Sequence, residues 1–149
     1  MIAMEGDLLL TFDTKNMITE GEKLRILIAE DNALNQQLLK TLITMKGWKA
    51  TVVSNGDEAI KQCTAKPFDL IFMDINMPFC DGLEATRALR NLGITTPIVA
   101  VSAFCNPEYK TLSKQAGMNG FIAKPFNRQE IYSTVSRFCK APCFLSDTA

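Results

Sequence analysis

Five short apolar runs, each followed by a segment with helical spacing, restrict this chain to very few architectures. The runs are Arg25 to Ala29, Ala50 to Val53, Leu70 to Met73, Ile98 to Val101 and Gly120 to Ala123. Strands this uniformly apolar fit burial on both faces of a parallel sheet. The first intervening segment, Ala33 to Lys46, places Leu34, Leu38, Leu42 and Met45 along one helical face, with Gly47 as its stop. Further helices are predicted from about Asp57 to Ala65, Leu83 to Asn91, Pro107 to Ala116 with Gly117 as cap, and Arg128 to Phe138 with Ile131, Val135 and Phe138 aligned. Strands alternating with helices pair in parallel through right-handed crossovers, so the fold class is α/β, doubly wound.

A chain of 149 residues, 47% hydrophobic, fits one domain able to bury roughly 68–70% of its unfolded surface. Residues 24–140 are expected to form that domain. Residues 1–23 match none of its repeats, and Leu8-Leu-Leu-Thr-Phe12 fits an added strand, a packed arm or the end of a removed neighbour equally well. The tail at 141–149 is too short for a second domain.

Sixteen basic residues balance sixteen acidic ones, so no global field favours nucleic acid or an anionic membrane. No apolar stretch approaches the roughly 18 residues that span a bilayer. Residues Met1 to Asp7 carry acid where a secretory signal carries base, so a cytoplasmic location is expected. Five cysteines without paired spacing fit reduced thiols. Histidine is missing altogether, which removes histidine general bases and histidine-containing zinc sites.

The residues that end the apolar runs carry the chemistry. Glu30 and Asp31 follow the first run, Asp74 the third, Ser102 the fourth and Lys124 the fifth. In an open α/β sheet, the edge outside the carboxyl ends of the strands is where ligands bind. Two carboxylates ~4 Å apart repel by about 4 kcal/mol at an effective dielectric of 20, so three acids gathered there call for a counter-ion. Mg²⁺ suits them, being hard and content with one or two carboxylates plus phosphate oxygens. Asp74 is then placed to act as a nucleophile toward phosphorus. The metal, the Lys124 ammonium and the Ser102 hydroxyl would share the charge of the transferred group.

The segments Ile26 to Asn32, Met73-Asp-Ile-Asn-Met-Pro78, Ala100-Val-Ser-Ala103 and Ala116 to Phe126 resemble the receiver domain of two-component response regulators, from about Leu24 to Cys139. The resemblance implies a CheY-like, flavodoxin-like (βα)5 sandwich with strand order 2-1-3-4-5. It implies that Glu30, Asp31, Asp74 and the backbone carbonyl of Asn76 bind Mg²⁺. Asp74 would be phosphorylated by a histidine kinase or a histidine phosphotransfer protein, with Ser102 and Lys124 holding the phosphoryl group and the Lys124-Pro125 peptide cis. Such a receiver catalyses its own phosphorylation and dephosphorylation but is a signalling module rather than an enzyme. The switch would couple movement of Ser102 to an inward turn of Phe121. Asn76 and Phe104 would border the path of the hydrolytic water, with the apolar Phe104 ring slowing dephosphorylation.

Asp31-Asn32-Ala-Leu-Asn35 resembles the opening of receivers fused to hybrid histidine kinases, although capping alone is reason enough for Asn32. With no histidine of its own, the domain is expected to take phosphoryl groups from another polypeptide and to signal through a downstream protein. Tyr109, Leu112, Phe121, Phe126, Ile131 and Tyr132 lie around the face of the fourth helix, fifth strand and fifth helix that family members use for homodimers or targets. Half of these should be core residues. An aspartate-nucleophile phosphohydrolase fits less well, because the acid/base Asp expected two positions after the nucleophile is Asn76. A flavodoxin-like cofactor carrier is disfavoured because an acid pair stands where a phosphate loop should follow the first strand. A scaffold that takes no phosphate is disfavoured because every expected site residue is present.

Overall fold

The computed structural model describes residues 23–139; the Leu8 to Phe12 segment lies outside them. Five strands and five helices alternate: β1 (Arg25–Ala29), α1 (Ala33–Met45), β2 (Lys49–Val53), α2 (Gly56–Ala65), β3 (Leu70–Asp74), α3 (Gly82–Asn91), β4 (Ile98–Ser102), α4 (Pro107–Ala116), β5 (Gly120–Ala123) and α5 (Arg128–Phe138). All pairings are parallel and the sheet order is β2-β1-β3-β4-β5, as the resemblance implied. No described helix is long and apolar enough to cross a membrane.

The uniform strands bury both faces because alternate residues feed two cores. Leu27, Ile71, Met73, Ile98 and Ala100 pack with Ala59, Ala85 and Leu89 of α2 and α3. On the other face Ile26, Ile28, Phe72, Val99 and Val101 meet Leu39, Leu42 and Ile43 of α1 and Ile131 and Val135 of α5. Every helix starts on a residue whose side chain accepts the backbone N–H three positions on: Asn32, Asn55, Asp81, Asn106 and Asn127. Each such cap stabilises its helix by about 1 kcal/mol. Glu84 and Glu130 complete capping boxes on α3 and α5.

The expected face of α1 is wrong. Leu34, Leu38 and Met45 stand 77%, 44% and 64% exposed, and the buried residues are Leu39, Leu42 and Ile43. The cause is tertiary. Leu39, Leu42 and Ile43 pack into the core under the sheet, and Gln36, on the same side, donates from Nε2 to the Glu30 carbonyl and to Ser54 Oγ.

Candidate functional site

The strand register brings the polar residues to one edge. Ala29 pairs with Met73, Asp74 with Val101 and Ser102 with Ala123, so β1, β3, β4 and β5 end side by side. Glu30 is buried. Its Oε2 accepts from the Asn32 N–H at 3.1 Å, and its Oε1 lies 2.9 Å from Lys124 Nζ. Asp74, also buried, accepts from the Asn76 N–H at 3.1 Å through Oδ1 and from Lys124 Nζ at 3.1 Å through Oδ2. One ammonium thus bridges two buried carboxylates. Asp31 is exposed, yet carboxylate oxygens of Glu30, Asp31 and Asp74 all lie within 4.8 Å of one another.

The electrostatics follow from burial and from this crowding. Burial and then the Glu30 charge push the Asp74 carboxyl up from 3.8 to about 6, against the pull of Lys124 and the Asn76 N–H. Burial works to lower the Lys124 ammonium, but its contacts with Glu30 and Asp74 outweigh that and raise it. The buried Glu30 Oε1 has its ion pair but no hydrogen bond of good geometry. Three carboxylates within 4.8 Å of one another that share one ammonium are a donor set that fits a hard divalent cation.

Ser102 ends β4 fully buried, and its Oγ accepts from the Phe104 N–H at 3.0 Å. Its carbonyl accepts from the Lys124 N–H at 2.8 Å, which ties the lysine to the neighbouring strand end. The Lys124-Pro125 peptide is cis. Asn76 is exposed. Phe104 is 50% exposed, and its ring lies stacked on Tyr109 of α4. Phe121 is half-buried, packed on the core beneath α2 and α3.

Three supporting residues escaped sequence reasoning. Gly82 begins α3 hard against the Asp74 carbonyl, where any Cβ would collide with that oxygen. A glycine where alanine makes the better helix was the available signal. Gln36 left no comparable trace. Phe79, 88% exposed, adopts a left-handed φ of +69° at the centre of a turn closed by Cys80 N–H to Pro78 O at 2.8 Å; an aromatic there is strained. On the expected partner face, Ile131 is fully buried in the core. Tyr132 turns to α1, donating to the Leu42 carbonyl at 2.7 Å and meeting Trp48 edge-on. Tyr109, Leu112, Phe121 and Phe126 stay half-buried.

The family model of the response regulator receiver domain matches residues 26–136. The chain belongs to this family. Among curated proteins it is 37% identical over 124 residues to the osmosensing histidine protein kinase SLN1 of Saccharomyces cerevisiae, covering 78% of this chain but only 10% of that kinase. It is 35% identical over 116 residues to the two-component response regulator 24 of Arabidopsis thaliana, covering 77% of this chain and 84% of the plant protein. Among solved structures, the receiver domain of the Pseudomonas aeruginosa sensor histidine kinase PA1611, with a magnesium ion coordinated in its active-site cleft, superposes with a TM-score of 0.73. It is 34% identical, over 78% of this chain and 97% of that one. The chain therefore carries a receiver domain of the two-component response regulator family, and the proteins it resembles include both histidine kinases and response regulators.

Proposed function

We propose that Asp74 accepts a phosphoryl group from a phosphohistidine of a histidine kinase or phosphotransfer protein. The observation that carries this is Lys124 Nζ held within 3.1 Å of both Glu30 and Asp74 at the strand ends. An Asp74 oxygen forms the new P–O bond as the P–N bond to the donor imidazole breaks. Lys124, already in contact with Asp74 Oδ2, meets the negative charge that arrives. Ser102, on the adjacent strand end, donates its hydroxyl to a second phosphoryl oxygen. Glu30, Asp31, Asp74 and the Asn76 backbone carbonyl would hold Mg²⁺, which when bound supplies the positive charge that lets the carboxylates and phosphate coexist.

A protein donor is supported by the apolar side chains beside the site, Leu34 in the first turn of α1 and Phe79 in the β3–α3 loop. Output passes through α4, β5 and α5, either in a homodimer or to a downstream protein, with Ser102 and Phe121 as the switch. Asn76 and Phe104 set the phosphoryl lifetime. Acetyl phosphate with Mg²⁺ should add one phosphoryl group, seen by intact mass, and Asp74→Asn should lose it. An undiminished adduct in that variant overturns the assignment. In the same assay after donor removal, the adduct of Phe104→Glu should decay faster than that of the wild type.

A further inference from the structure

Helix α4 is lightly anchored. Its fully buried residues are Ser113 and Ala116, which bring little apolar area to the core, and Tyr109 adds a half-buried ring against it. A cavity of about 310 Å³ lies beside it, lined among others by Lys110, Lys114, Met118 and Phe121. Elements with so few buried contacts are the ones that open or shift most easily.

What grips the first turn of α4 is aromatic. Tyr109, whose N–H donates to the Asn106 cap at 2.9 Å, stacks on Phe104 with ring centroids 5.5 Å apart and planes at 27°. The Phe104 N–H in turn donates to Ser102 Oγ. The next residue, Lys110, sets its ammonium 5.8 Å over the Phe121 ring. A single helical turn therefore touches the loop of the hydroxyl residue and the aromatic of β5. A Ser102 hydroxyl drawn toward a phosphoryl group on Asp74 pulls on the Phe104 amide, because losing that buried acceptor is unfavourable. Where that bond is kept, the Phe104 ring moves against Tyr109.

We propose that Tyr109 is a positioning residue: by stacking on Phe104 it holds Ser102 in its resting orientation and opposes capture of a phosphoryl group at Asp74. This rests on the readings of Asp74 as phosphoryl acceptor and of Ser102 as the hydroxyl that moves toward it. The test is binding of beryllofluoride, a phosphoryl mimic, to the full chain with saturating Mg²⁺, measured by calorimetry. Tyr109→Ala should bind between about twofold and tenfold tighter, the factor that corresponds to the loss of one aromatic pair. Tyr109→Phe keeps the stack and should match the wild type. Tyr109→Leu keeps apolar contact without stacking and should behave like Tyr109→Ala, which covers the case in which the alanine variant does not fold. Unchanged or weaker binding in the variants without the ring overturns the proposal alone, and so does a Tyr109→Phe protein that behaves like Tyr109→Ala. A wild-type protein that neither binds beryllofluoride nor accepts phosphate overturns the reading of Asp74 and the latch with it.

Discussion

The two edges of the sheet treat charge in opposite ways. At the carboxyl edge three carboxylates face the single ammonium of Lys124, and burial raises the Asp74 carboxyl out of its ordinary range. At the amino edge one guanidinium meets only neutral acceptors. Arg90 donates to the Gly117 carbonyl from Nε and Nη2, to the Ile94 and Thr96 carbonyls from Nη1, and to Asn119 Oδ1 from Nη2. Asn119 also exchanges bonds with the backbone of Ile98, the first residue of β4. The planar fork thus ties the end of α3 to the starts of β4 and β5. One edge is satisfied and holds the fold. The other is left short of positive charge, the condition under which a cation is favoured there.

The strongest way to break this contrast is to remove Arg90. Arg90→Ala strips partners from three partly buried carbonyls in two chain segments and should destabilise the domain by about 2–3 kcal/mol. Arg90→Lys should recover little, because an ammonium cannot reproduce the fork. Mg²⁺ affinity of the folded variant should be unchanged, since no group at the carboxyl edge is touched. Denaturant titration with and without Mg²⁺ reads both quantities. A stability loss below ~0.5 kcal/mol, within the range of ordinary surface substitutions, or a marked fall in Mg²⁺ affinity, would dissolve the division between the edges.

Asp31→Asn probes the other side. Asp31 is exposed and packs against nothing in either core, so its charge acts mainly on its two acidic neighbours and on a cation bound among them. Losing that charge should weaken Mg²⁺ binding on the order of tenfold. Stability without metal should rise or stay level, because repulsion with Glu30 and Asp74 is relieved. A clear loss of metal-free stability would mean that Asp31 serves the fold after all.

This contrast also explains what was readable in the chain. The carboxyl edge was legible because each functional residue directly follows an apolar run, so strand periodicity alone places Glu30, Asp74, Ser102 and Lys124 side by side. The helix starts carry a similar signal, since an Asn or Asp stands before every one, but it is read only at Asn32, and the starts expected at Asp57 and Leu83 fall one residue past the observed Gly56 and Gly82. The amino edge left no such trace, because four of the five Arg90 bonds go to main-chain carbonyls, which any residue type supplies. The rotation of α1 differs from expectation because the helix carries two overlapping apolar stripes through Leu42, and the one with Leu39 and Ile43 is the one that meets the core. The left-handed backbone of Phe79 has no signal in residue type, since aromatics avoid that region.

The smallest effect is a pH dependence that should exist only at the carboxyl edge and only without metal. Asp74 titrates at 3.8 when unperturbed and at about 6 in the folded protein. Between those values the native state binds more protons than the unfolded state, so stability falls as pH rises through that window. Below it the carboxyl is protonated in both states and no penalty remains. Above it the native state carries the full cost of a buried charge beside Glu30, about 1 kcal/mol once solvent screening is allowed for. Asp74→Asn removes the group, so its stability in chelator should lack this fall between pH 4 and pH 6. The difference between the two proteins isolates Asp74 from every other carboxylate. Mg²⁺ favours the ionised form and should erase the fall in the wild type while leaving Asp74→Asn nearly unmoved. If instead the wild type gains stability over that window relative to Asp74→Asn in chelator, Lys124 outweighs burial and Glu30, and the carboxyl edge is already neutralised before any metal arrives.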